Sequence, residues 1–115
     1  MSEAPNQPEQ CKFDELFIQS IDETITGILG RTVSQAFRNY VRTRFGLEID
    51  AIPERPDALF SALHDSLGTG GDRVGKYIVR KLYQKAGIEF LDGDGRTLAE
   101  YVQVLKRRLT DAKYH

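Results

Sequence analysis

A chain of 115 residues with one cysteine, no tryptophan and a net charge of −1 is long enough for one domain with a single modest core. Hydrophobic residues make up 40 % and charged residues 29 %, the balance of a soluble globular protein, and no apolar run approaches the ~18 residues a membrane span needs. Cys11 alone excludes an internal disulfide or thiolate metal cluster, and Met1–Gln10 lacks the apolar stretch of a secretory signal, so a cytoplasmic protein is expected.

Residues 1–11, with Pro5, Pro8 and several polar residues, read as a disordered leader, and residues 12–115 as the folded domain. Cys11, in that leader, reads as an incidental thiol. The first helix is expected over Phe13–Leu29, where Phe17, Ile21, Ile25 and Ile28 recur at helical spacing. Gly27 and Gly30 mark its end. Its apolar residues span an arc of at least ~160°, wider than the ~100° stripe of a surface helix. Either the rest of the domain wraps this helix on two sides, or a second copy covers one margin through Leu16, Phe17 and Ile18.

The second helix is expected over Val33–Phe45. Thr32 and Gln35 have the spacing of a capping box, Val33, Phe37, Tyr40 and Val41 form the inner stripe, and Gly46 stops it. Leu47–Arg55 reads as irregular or extended, because Pro53 and Pro56 restrict the residues before them. Pro56 suits the first position of a third helix lined by Leu59, Phe60, Leu63 and Leu67. A glycine-rich turn, Gly68 to Asp72, leads to a fourth helix capped by Thr69 or Asp72. That helix turns Val74, Ile78, Leu82 and Ala86 inward and ends at Gly87. Asp92-Gly93-Asp94-Gly95 is a turn. The fifth helix opens with a second capping box, Thr97 and Glu100, and carries Leu98, Tyr101, Val102, Leu105 and Leu109 in a narrow stripe. The apolar runs at 47–52 and 88–91 are too short for a sheet. The expected fold is all-α, a compact five-helix bundle in a single domain, with at most one small β-bridge between those runs.

The charge is sorted into blocks: −5 over residues 1–30, +4 over 31–45, −5 over 46–72, +5 over 73–86, −3 over 87–100 and +3 over 101–115. At about 100° per residue, Arg31, Arg38 and Arg42 fall within about 40° of one another, away from the stripe of the second helix. Arg73, Lys76 and Arg80 gather within about 60° on the fourth helix, opposite Val74, Ile78 and Leu82. Lys106, Arg107 and Arg108 point around the fifth helix and form no stripe. The two rows read as solvated faces, as docking surfaces for an acidic protein, or as nucleic-acid contacts. A pI near 6.1 counts against the last, since DNA-binding domains are usually basic overall.

Other motifs fail on their chemistry. Gly70 to Tyr77 comes within one residue of a P-loop. It follows a helix rather than a buried strand, however, and Tyr77 stands where the Mg²⁺-binding hydroxyl belongs. An anion or nucleotide sensor at the Gly68–Gly71 turn, using helix-start N–H groups with Arg73 and Lys76, remains as a weaker reading. Asp92-Gly93-Asp94-Gly95 does not fit a calcium loop: with Gly95 in the glycine slot, Phe90 and Tyr101 occupy the carboxylate positions. His64 and His115 are the only histidines, and His64 does not face its neighbour Asp65 on a helix. No catalytic constellation, metal site or cofactor is expected.

Phe45-Gly46-Leu47, Ile52-Pro53-Glu54-Arg55-Pro56, Tyr77-Ile78-Val79-Arg80-Lys81-Leu82-Tyr83 and Gly87-Ile88-Glu89-Phe90 resemble an archaeal family, the nitrosopumilus output domain, over roughly Phe13 to Leu109. The resemblance implies an α-helical signal-transduction module attached behind a receiver or sensor domain, and carries over no catalytic residue. The expected function is a non-enzymatic regulatory or protein-interaction module whose Arg-rich rows meet an acidic partner: such a receiver or sensor domain, or the protein's own acidic first helix. The alternatives are a small DNA-binding transcriptional regulator and the anion sensor at Gly68–Gly71.

Overall fold

The computed structural model describes residues 8–91, 93 and 95–112. Residues 1–7 of the expected leader, the side chain of Cys11, Asp92 and Asp94 of the acidic turn, and His115 lie outside the described residues. Five α-helices follow in order: α1 (Pro8–Leu29), α2 (Arg31–Phe45), α3 (Pro56–Leu67), α4 (Thr69–Ala86) and α5 (Leu98–Ala112). A 3-10 helix over Ile49–Glu54 joins α2 to α3, in a stretch expected to be irregular or extended. No strand occurs among the described residues, so the small β-bridge between 47–52 and 88–91 does not form.

α1 is the central helix and starts at Pro8, ahead of the expected Phe13. It is packed by α2, α4, α5 and the 3-10 helix, which explains its wide apolar arc. Phe13, Phe17, Ile21 and Ile25 are buried, and Leu16 rests against the core. Phe17 is fully enclosed and therefore offers nothing to a second copy. Ile28, expected at the centre of the buried stripe, is instead 49 % exposed.

Two helix starts differ from expectation, and glycine is the reason in both. Gly30 adopts φ +94°, which lets the chain reverse in one residue, so α2 begins at Arg31 and its first turn closes through Ser34 N–H to Gly30 C=O at 3.0 Å. Thr32 therefore lies inside the helix, and no side-chain cap forms with Gln35. Val33 is displaced to an exposed position while Ser34 takes the buried one. Gly68, at φ +62°, likewise links α3 directly to α4. Thr69 and Asp72 lie inside α4 rather than capping it, and Gly70 and Gly71 form its first turn.

Those glycines have opposite surroundings. A Cβ on Gly70 would meet nothing within 4 Å, whereas one on Gly71 would collide with the backbone carbonyl of Leu63. One turn later, a Cβ on Gly75 would lie 2.9 Å from Leu98 Cδ1 and 3.0 Å from Phe60 Cδ1. Gly71 and Gly75 therefore permit the close approach of α4 to α3, with the two helices antiparallel. The part-match to a P-loop is a packing motif.

α5 conforms to its sequence. Thr97 N–H donates to Glu100 Oε1 at 2.8 Å, and Glu100 N–H donates to Thr97 Oγ1 at 3.1 Å, which is the reciprocal capping box. Tyr101, Val102 and Leu105 are buried. Tyr83, Phe90 and Tyr101 form an aromatic cluster that joins Phe90, just past the end of α4, to α4 and α5. The Tyr83 hydroxyl donates to the Tyr101 carbonyl at 2.7 Å, and the Tyr101 hydroxyl donates to the Leu91 carbonyl at 3.2 Å.

Candidate functional site

The two helices that carry the basic rows pack against α1 and are tied to it through consecutive acids. From α2, Arg38 reaches Asp22 at 3.0 Å. From α4, Lys85 and Lys81 reach Glu23 at 3.1 Å and 3.8 Å. Helical register explains the division: neighbours on a helix point about 100° apart, so Asp22 turns towards α2 and Glu23 towards α4. These pairs are solvent-accessible and each contributes no more than about 1 kcal/mol. They make part of the basic surface an internal counterpart of the acidic first helix.

On the α2 row, Arg38 is thus occupied, and Arg42 Nε pairs with Glu48 at 3.1 Å. Arg31 is exposed and has no acid partner among the described residues. Arg31, Arg38 and Arg42 line a polar groove of about 400 Å³ together with Asp22, Thr26 and Asn39. On the α4 row, Arg73 and Arg80 are exposed and without an acid partner among the described residues, while Lys76 is half-buried and not a free charge. The five arginines and one lysine expected from sequence thus fall into two groups, one on α2 and one on α4. The α4 group keeps more of its charge available.

Tyr77 stands among the α4 cations with 52 % of its surface exposed, and Ile28 of α1 is beside it. Together with Glu23, Thr24, Gly27, Arg80, Lys81 and Gln84 they line an α1/α4 groove of about 580 Å³. In the sequence Tyr77 stands out only as the residue that breaks the P-loop match. The available signal was that an aromatic side chain falls off the Val74/Ile78/Leu82 stripe, on the polar side of its helix. A third, smaller groove of about 250 Å³ has nearly all-apolar walls, with Leu29, Val33, Phe37, Tyr40, Leu63 and Leu67 among its lining.

The start of α4 carries Asp72, whose Oδ1 lies 3.1 Å from His64 Nδ1. A carboxylate already sits in the helix turn where the anion-sensor reading needs an incoming negative charge. His64 thus finds its carboxylate across the α3–α4 link, at a spacing that local sequence does not show. Among the described residues no three or more His, Cys, Asp or Glu side chains gather as a metal site, and no helix is long and apolar enough to cross a membrane.

Two carboxyls depart from ordinary titration. Burial pushes the Asp14 carboxyl up, Lys106 partly opposes this, and Glu54 adds to it. Asp14 Oδ1 is enclosed without a hydrogen-bond partner. The Arg55 side chain, hydrogen-bonded to Asp57 at the start of α3, holds that carboxyl below its usual range.

The fold and surface define an all-α domain with a central helix and two basic flanks. Set against family models, curated proteins and solved structures, the chain matches none.

Proposed function

We propose that this protein is a non-enzymatic interaction module of a regulatory system, docking an acidic partner on the exposed face of α4. The observation that carries this reading is that Arg73 and Arg80 project from one side of α4, free of acid partners among the described residues, with the exposed Tyr77 between them. Aromatic and arginine side chains dominate the binding energy of protein interfaces, because they combine large contact area with directed hydrogen bonding. The resemblance to the nitrosopumilus output domain supports a place downstream of a receiver or sensor domain in the cytoplasm. The acids of α1 hold Lys81, Lys85 and Arg38 in place, so that α4 presents its remaining charge from a fixed scaffold.

Capture from native extract tests this, comparing the wild type with Arg73→Glu/Arg80→Glu, each with and without nuclease. A discrete set of proteins retained by the wild type, lost by the variant and unaffected by nuclease is the expected result. Retention that nuclease abolishes favours the DNA-binding regulator, whose phosphate contacts would also make binding fall steeply with salt. Retention unchanged by the double reversal refutes docking at α4.

A further inference from the structure

The α1/α4 groove has features that the packing of this chain does not explain. Ile28 and Tyr77 leave about half of their surfaces in water across a single groove. Single exposed apolar side chains are ordinary, whereas an exposed apolar patch rimmed by polar residues marks a contact site. Gly27 also lines this groove, in the helical part of α1, where glycine costs about 1 kcal/mol relative to alanine. A Cβ there would meet nothing within 4 Å, so no neighbour within the chain requires glycine, in contrast to Gly71. Thr24, also in the lining, is only 4 % exposed, and its Oγ1 is enclosed without a hydrogen-bond partner. Cations form the rim. Arg80 has no acid partner among the described residues, and Lys81 holds Glu23 only at 3.8 Å, the weaker of two contacts to that carboxylate.

We propose that this groove seats an amphipathic helix of a partner protein, apolar on the face that meets Ile28 and Tyr77 and acidic on the flank that meets Arg80 and Arg73. The inference rests on the interaction-module reading and names its surface and occupant. The walls are two antiparallel helices, a shape into which the ridge of a third helix packs. The bare backbone at Gly27 lets the incoming helix approach closely, as small residues do at helix crossings. The α4 wall of the groove, Tyr77 to Gln84, spans about 10.5 Å at about 1.5 Å per residue, which matches two turns of an occupant with anchors at i, i+3 or i+4, and i+7. Charge complementarity fixes the sign of the flank and makes association faster at low salt.

The test uses the intact protein against a displayed library of randomised 20-residue helical peptides, with backbone NMR shifts locating the best binders. Enriched peptides should be net acidic and amphipathic, with shifts centred on Gly27, Ile28, Tyr77 and Arg80. Tyr77→Ala and Arg80→Glu should each weaken binding by about tenfold or more, while Arg38→Glu changes it less than about twofold because that side chain lies on the other flank. Gly27→Leu provides the decisive variant. It should fold at least as stably as the wild type, since leucine favours a helix and has open space, yet lose about tenfold or more in affinity by filling the groove. Undiminished binding by Gly27→Leu overturns the proposal, as does self-association that buries the groove in light scattering. Peptides that map instead to Arg31, Arg38 and Arg42 overturn it and move the docking surface from α4 to α2, leaving only the class of interaction module. Enrichment of no peptide at all overturns the helical occupant, and capture from extract then decides the interaction-module reading separately.

Discussion

Adjacent glycines in α4 should respond oppositely to the same substitution. Gly70 and Gly71 both lie in the first turn of the helix, and alanine is better than glycine there by up to about 1 kcal/mol. At Gly70 the new methyl enters open space, so Gly70→Ala should gain most of that amount. At Gly71 it would strike the Leu63 carbonyl, a backbone atom that cannot rotate aside. α4 must then lift from α3, loosening the core that Val74 and Ile78 of α4 share with Leu59 and Leu63 of α3. Overpacking of this kind costs about 3 kcal/mol at the upper end of its usual range, which leaves a net loss of about 2 kcal/mol after the helix-propensity gain. A chain of 115 residues unfolds with an entropy of about 0.24 kcal/mol/K. The melting temperature should therefore fall by about 8 °C for Gly71→Ala and rise by about 3 °C for Gly70→Ala. Gly75→Ala should fall between them, because the atoms it meets belong to the rotatable side chains of Leu98 and Phe60. Thermal unfolding followed by far-ultraviolet circular dichroism measures all three. A Gly71→Ala protein as stable as the wild type would show that α3 and α4 do not approach this closely.

Two further outcomes follow from buried polar groups. Tyr83→Phe removes the donor to the Tyr101 carbonyl and should cost about 1 kcal/mol, read as a lower urea midpoint at unchanged slope; no loss would mean that the aromatic contacts alone hold the cluster. Asp14 binds its proton more tightly in the folded state than in the unfolded chain, so its ionisation reduces stability as pH rises from the ordinary carboxylate range through the raised value. Asp14→Asn should accordingly stabilise the protein at neutral pH, with the gain fading on acidification through that same range, and a gain independent of pH would exclude the carboxylate charge as its cause.

The stripes of α4 and α5 were legible because their buried residues recur at helical spacing and their neighbours are polar. The capping box of Thr97 and Glu100 was legible because both of its hydrogen bonds are local. The same pattern at Thr32 and Gln35 misled, since the positive φ of Gly30 starts the helix before Thr32 could cap it. Periodicity does not distinguish a glycine in a loop from one pressed against a neighbouring helix, so Gly70 and Gly71 read as a turn. The arginine rows were visible as directions on a wheel, but the acids that occupy Arg38 and Arg42 come from other elements and emerge only on folding. Ile28 had the spacing of a core residue, and its exposure depends on where α4 lies.

The one-residue links at Gly30 and Gly68 also bear on how the chain acquires its structure. Each joins two helices that pack against each other, so the α1–α2 and α3–α4 hairpins close over very short loops at little entropic cost. Topologies built from such nearby contacts fold on the microsecond-to-millisecond scale. The expensive closure is the meeting of α1 with α4, which joins the two hairpins across the intervening α2 and α3. Folding should thus be limited by the docking of two preformed hairpins, and substitutions along the α1–α4 seam should slow it more than equally destabilising ones within either hairpin.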